Sequence, residues 1–150
     1  MNKIFSILAL STLIICLSFS LTSELSWLTN LDSAKTTAAN EDKVILLSFQ
    51  GSDWCGNCMK LEKSLFESAE FKGYAEKELV LLKADFPMKK ANKLSKELTA
   101  HNDDLASKFN KKGSFPLVII LNSQGEKIGE MTHPLPSTED YLNNLKGILK

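Results

Sequence analysis

The chain has 150 residues, of which 43% are apolar and 24% charged. That is enough for one folded domain with its own core, and too apolar for a disordered chain. Its 18 basic residues, all lysine, balance 18 acids, so recognition of nucleic acid or phosphate has no support from net charge or arginine forks.

The chain opens with MNKIFSILALSTLIICLSFS: one charge at Lys3, an apolar run from Ile4 to Leu17, and small residues Ser18 and Ser20 two apart. That order reads as a secretory signal peptide over residues 1–20, cleaved after Ser20, with the folded domain at 21–150. Two alternatives stand beside it. No charge falls between Lys3 and Glu24, as in an uncleaved membrane anchor, and LIIC ending at Cys16 has a faint likeness to a lipoprotein box. Each reading makes the domain periplasmic or secreted, free or held at the membrane through its N-terminus. Of three cysteines, Cys55 and Cys58 then belong to the domain, outside the reducing cytosol.

Asp32 or Ser33 is a candidate cap for a short helix through Asn40. KVILLSFQ, Lys43 to Gln50, is a near-continuous apolar run, the pattern of a strand buried on both faces. GSD breaks it, and a helix begins near Trp54 or Cys55. On that helix Cys58, Leu61, Leu65 and Ala69 share one face. LVLLKAD, Leu79 to Asp85, predicts a second buried strand. The stretch from Phe86 to Lys112 carries seven lysines against three acids. Its second half, with Leu94, Leu98, Leu105, Ala106 and Phe109, predicts an amphipathic helix whose lysines face solvent and on which His101 is a surface residue. GSFP breaks the chain again. LVIIL, Leu117 to Leu121, predicts a third strand, and EKIGEM a fourth, returning as a hairpin through NSQG. Ser137 caps the last helix, with Asp140 three residues on. The order, two βα units and then ββα, predicts an α/β fold with helices on both faces of one mixed sheet.

The Cys55–x–x–Cys58 pair sits where a strand runs into a helix. A helix N-terminus carries partial positive charge and free N–H groups. A thiolate there is stabilised, which lowers the thiol pKa and makes it reactive near neutral pH. Cys55, in the first turn, is expected to be exposed. Cys58, on the stripe with Leu61 and Leu65, is expected to be shielded. This divides the labour: Cys55 attacks a substrate disulfide, and Cys58 resolves the mixed disulfide by attacking Cys55.

The segment ILLSFQGSDWCGNCMKLEKSLF, with LVLLKADFP and GSFPLVIILNSQGEKIGE after it, resembles the thioredoxin superfamily. In particular it is similar to exported bacterial thioredoxin-like proteins with a Ser-Asp-Trp-Cys-Gly-x-Cys core. The resemblance implies a thioredoxin fold, with a central mixed sheet of about four to five strands flanked by helices. It implies thiol–disulfide exchange with protein thiols and disulfides, in the reducing direction, with oxidation or isomerisation as the nearest alternative, and without organic cofactor or metal. It implies a second protein dithiol as electron partner, such as a membrane-bound thiol reductase, and a monomer. Pro116 matches the family's cis-proline beside the dithiol, and Phe115 would offer its backbone to an extended substrate segment. A proline just before a buried strand also asks for a reason of its own, which a cis Phe115–Pro116 bond supplies. Trp54, Gly56, Asn57, Phe115 and Pro116 are therefore the expected substrate-contacting residues. Departures from thioredoxin are visible too. Gly56-Asn57 stands where thioredoxin has Gly-Pro, and Ser48 falls where it has a buried acid. Lys60 would favour a Cys55 thiolate and Asp53 would oppose it.

Other readings of the pair remain. A structural disulfide closing so short a loop constrains the unfolded chain little. Zinc wants four ligands, and beyond this pair there are two histidines, His101 and His133, both distant in sequence. His133, in THPLP, is a minor candidate for a loop near the dithiol. Copper held by two thiolates is the better metal reading. It makes the chain a copper or thiol chaperone that uses the same pair without turnover.

Overall fold

The computed structural model describes residues 24–131 and 134–150. The expected signal segment, Cys16 and His133 lie outside the described residues.

Five strands form one mixed sheet in the order β1-β3-β2-β4-β5. β2 (Val44–Gln50) and β3 (Leu79–Asp85) are its parallel centre, with β1 (Trp27–Leu28) parallel on the far side of β3. β4 (Leu117–Leu121) runs antiparallel to β2, and β5 (Lys127–Glu130) antiparallel to β4. Four of these are the strands expected from the apolar runs. β1 was not foreseen, because two residues are too few to show a period.

The helices are α1 (Leu31–Glu41), α2 (Gly56–Leu61), α3 (Ala69–Glu78), α4 (Lys96–Phe109) and α5 (Thr138–Ile148). The cap of α1 is Asn30, whose side chain accepts from the Ser33 N–H at 2.9 Å, and not Asp32 or Ser33. Ser137 caps α5 as expected. Its hydroxyl oxygen accepts from the Asp140 N–H at 3.1 Å, and the hydroxyl donates to the Asp140 carboxylate at 2.7 Å. The expected stripe on α2 is corrected at its end. After Leu61 the helix widens into a π turn, Glu62–Phe66, and Ser68 then caps the separate helix α3. The wider turn shifts the phase, so Leu65 stays buried on the Cys58 face while Ala69 is exposed.

β2 shows how both faces are filled. Ile45, Leu47 and Phe49 point to one side and pack under α1 and α4 with Ala34, Ala38 and Leu105. Leu46 points to the other side, under α2, α3 and α5, with Leu61, Phe66, Phe71 and Leu145. At about 25 cal/mol per Å² of apolar surface, burial of these side chains is the main stabilising contribution.

The register also gathers the site. Gln50 is opposite Asp85 and Phe49 is opposite Leu117. The end of β2, the end of β3 and the start of β4 therefore meet at one edge, where residues 51–55, 86–95 and 115–116 leave the sheet together.

Candidate active site

Cys55 and Cys58 are joined as a disulfide, with Cα atoms 5.2 Å apart. Gly51 begins the turn that presents them: its carbonyl accepts the Cys55 N–H at 2.9 Å. Cys55 is the N-cap of α2, and its Sγ accepts the Cys58 N–H at 3.1 Å. A donor is thus already aimed at the sulfur that would carry charge after reduction. The expected exposure needs correction. Cys55 is only 6% exposed and Cys58 2%. The order holds, but both cysteines are buried.

Trp54 and Phe115 shape the ground beside the pair. The Trp54 indole N–H donates to the Phe86 carbonyl at 2.7 Å, and its ring lies edge-on to Phe115 at 5.3 Å. Phe86 meets the same Phe115 ring at 5.4 Å. Gly51 is needed beneath this indole, because a Cβ there would collide with the Trp54 ring. The Phe115–Pro116 bond is cis, as expected. A groove of about 420 Å³ runs from Asn57 and Lys60 past Phe115 and Pro116 to Leu135 and Tyr141. Asn57 and Gly56 are exposed at the start of α2, and a Cβ on Gly56 would meet nothing within 4 Å. The expected residues are therefore brought to one edge: Trp54 against Phe115, and Asn57, Phe115 and Pro116 along the groove.

Beneath α2 lies a polar strip that the sequence reading missed. Ser48 and Gln50 share the sheet face of Leu46 and are buried. The Gln50 side-chain amide donates to Ser48 Oγ at 3.0 Å and to Glu62 Oε2 at 3.3 Å. The other oxygen of Glu62 faces Lys83 Nζ at 3.6 Å, and that ammonium lies 4.6 Å from the centre of the Trp27 ring. The face on which Ser48 stands thus meets a carboxylate, Glu62, from the π turn that follows α2. The signal in sequence was Glu62 itself, at i+4 from Cys58, but its inward partners follow from sheet register.

Asp53 does not face the dithiol as a free charge. Its carboxylate accepts the N–H groups of Met88 and Lys89 and the Asn92 side-chain amide, each at 2.9 Å. The Met88 N–H, followed by the Asn92 amide and Lys89, holds the Asp53 carboxyl below its ordinary value of 3.8 against some desolvation. Ser52 is bound likewise, its N–H and hydroxyl donating to Asp85 at 2.9 and 2.6 Å. His101 is not a bare surface residue either. Its Nε2 accepts the Leu31 N–H at 3.2 Å and ties α4 to the start of α1.

Comparison with known proteins agrees with this geometry. A family described as thioredoxin-like matches residues 26–123. The disulfide bond reductase DsbH of Chlamydia pneumoniae is 31% identical over 110 residues, which cover 73% of this chain and 64% of that protein. The thioredoxin-related protein DsbJ of the same organism is 28% identical over 102 residues, 68% of this chain and 28% of that one. The chain thus spans less than two thirds of either relative. A solved structure of a DsbH oxidoreductase superposes with a TM-score of 0.77 at 28% identity, covering 85% of both chains. A thioredoxin from Thermus thermophilus, 14% identical, shares the fold with a TM-score of 0.63, covering 85% of this chain and 88% of that one. With five strands in a mixed sheet, a Cys-x-x-Cys pair capping α2 and a cis-proline at the same edge, the chain belongs to the thioredoxin-like family.

Proposed function

We propose that the chain is an exported thiol–disulfide oxidoreductase that reduces disulfides of protein substrates. The observation that carries this reading is the Cys55 sulfur at the N-cap of α2, already accepting a backbone N–H, beside a groove walled by Phe115 and Pro116. The reducing direction is supported by DsbH, a relative named as a disulfide bond reductase. Export, to the periplasm or beyond it, is supported by the charged, apolar, small-residue order of residues 1–20.

In the reduced state the Cys55 thiolate attacks one sulfur of a substrate disulfide. A Cys55–substrate disulfide forms, and the other substrate sulfur leaves as a thiolate. Cys58 then gives up its proton, with Glu62 as acceptor, and its thiolate attacks Cys55 Sγ. The second substrate sulfur leaves, and the disulfide seen in the structure is formed. Two electrons have passed to the substrate, and a second protein dithiol, such as a membrane-bound reductase, restores the pair.

The test is a trap. In Cys58→Ser the resolving step is blocked, so substrate proteins stay covalently bound to Cys55 and are released by dithiothreitol. Alkylation of Cys55 in the reduced protein should show a midpoint below the free-thiol value of about 8.5. No trapped adducts, together with stoichiometric Cu(I) binding by the reduced pair, would replace the oxidoreductase by a copper chaperone.

A further inference from the structure

We propose that the segment from Phe86 to Lys96 is a docking arm for protein substrates whose reacting disulfide is flanked by apolar and acidic side chains. The inference rests on the oxidoreductase reading and adds to it the class of substrate.

The first observation is attachment. Three consecutive residues before the dithiol, Ser52, Asp53 and Trp54, each bind residues 85–92 through their side chains. A lysine-rich stretch that merely faced solvent would not need Asp53 to hold two of its backbone N–H groups and a side-chain amide. The bonds of Asp53 and Trp54 fix the arm to the turn that carries Cys55, and that of Ser52 holds the end of β3 from which the arm leaves.

The second is the apolar surface so placed. Trp54 is 43% exposed and Met88 75%, and both belong to the segments that these bonds join, while Met59, next to Cys58 on α2, is 51% exposed. Trp54 precedes Cys55, Met59 follows Cys58, and the Met88 N–H is bonded to Asp53. Single exposed apolar side chains need no explanation, but Trp54 and Met88, held together next to the turn that carries Cys55, form a contact surface. Methionine, unbranched and polarisable, adapts to partners of varied shape.

The third is charge. The chain is neutral overall, yet Phe86 to Lys96 contains Lys89, Lys90, Lys93 and Lys96 and no acid. All four are exposed. Lys89 lends its charge to Asp53, while Lys90, Lys93 and Lys96 form no ion pair among the described residues. This unneutralised cluster beside an apolar rim attracts acidic partners and repels basic ones. A polyanion without sulfur would gain nothing from a site beside Cys55, so the occupant that fits is a protein bearing a disulfide.

The test uses the reduced full domain and three disulfides: neutral 2,2′-dithiodipyridine, and two peptide disulfides that share leucine flanks but carry either glutamates or lysines beyond them. The dithiodipyridine rate reports on the dithiol and serves as divisor for each peptide rate. At low ionic strength the acidic peptide should react about tenfold faster than the basic one, and the gap should close as salt shortens the Debye length. The double change Lys90→Glu and Lys93→Glu should remove or invert the gap, and Met88→Ser should lower both peptide ratios alike. Equal ratios for the two peptides, or a gap indifferent to the lysine changes, would overturn the docking arm while reduction of dithiodipyridine leaves the redox reading standing. Failure to reduce any of the three would remove both.

Discussion

The two faces of β2 differ in what they bury. One face, Ile45, Leu47 and Phe49, is apolar throughout and meets α1 and α4. The other begins with Leu46 and then turns polar, with Ser48 and Gln50 buried under the helix that carries the dithiol. Both faces exclude water, and an apolar side chain would serve either one better as packing. Buried polar groups need partners to avoid a desolvation cost of about 1–3 kcal/mol each. On this face the partners converge on Glu62 and Lys83. The contrast separates a face that holds the fold from one that gives up packing to hold a carboxylate on the turn that follows the dithiol helix.

The comparison can be broken most forcefully at its two extremes. Cys55→Ser should abolish exchange while leaving the domain folded, measured by dithiodipyridine reduction and by circular dichroism. Leu47→Ala, on the apolar face, should cost about 2–5 kcal/mol in denaturant unfolding and leave the exchange rate of the folded fraction unchanged. A Leu47→Ala loss below about 0.5 kcal/mol would show that this face is not the packed one.

Glu62→Gln sharpens the contrast from the polar side. Its side chain is about one third exposed, so the stability change should be small, below about 1 kcal/mol. Resolution of a preformed mixed disulfide should slow by about tenfold at neutral pH. The deficit should shrink as pH rises, because hydroxide then takes the Cys58 proton without a carboxylate. Glu62→Asp should recover part of the rate. A deficit that does not depend on pH would mean that Glu62 acts through packing alone.

The smallest effect concerns Asp53. Its carboxyl is depressed in the folded state, chiefly by the Met88 N–H. The stabilisation it gives is therefore complete above the ordinary value of 3.8 and is lost as pH falls through the lower folded value. The amide resonances of Met88 and Lys89 should titrate together with a midpoint below 3.8. A midpoint at or above that value would detach the arm from Asp53.

Much of the site was legible before the fold. Cys55 and Cys58 could be recognised because a buried strand, a break and a helix start are local patterns. Pro116 could be recognised because proline before a buried strand conflicts with ladder bonding. Glu62 and Asp53 were visible as residues but not in their roles. Their partners lie 12 and 35 positions away, from Gln50 to Glu62 and from Asp53 to Met88, and no local period carries information over that span. The burial of Cys55 was missed for a related reason: exposure is set by what surrounds a side chain, not by its place in a helical turn.

Most of the elements, their order and the dithiol at a helix start could be read from the chain alone, because apolar periodicity and capping chemistry act over a few residues. It took the folded arrangement to show that β1 adds a fifth strand, that Ser48, Gln50, Glu62 and Lys83 form one polar strip, and that the lysine-rich segment is bound to the active-site turn. Those outcomes depend on strand register. It sets Gln50 against Asp85 and Phe49 against Leu117, and so selects which distant segments share the edge where Cys55 stands.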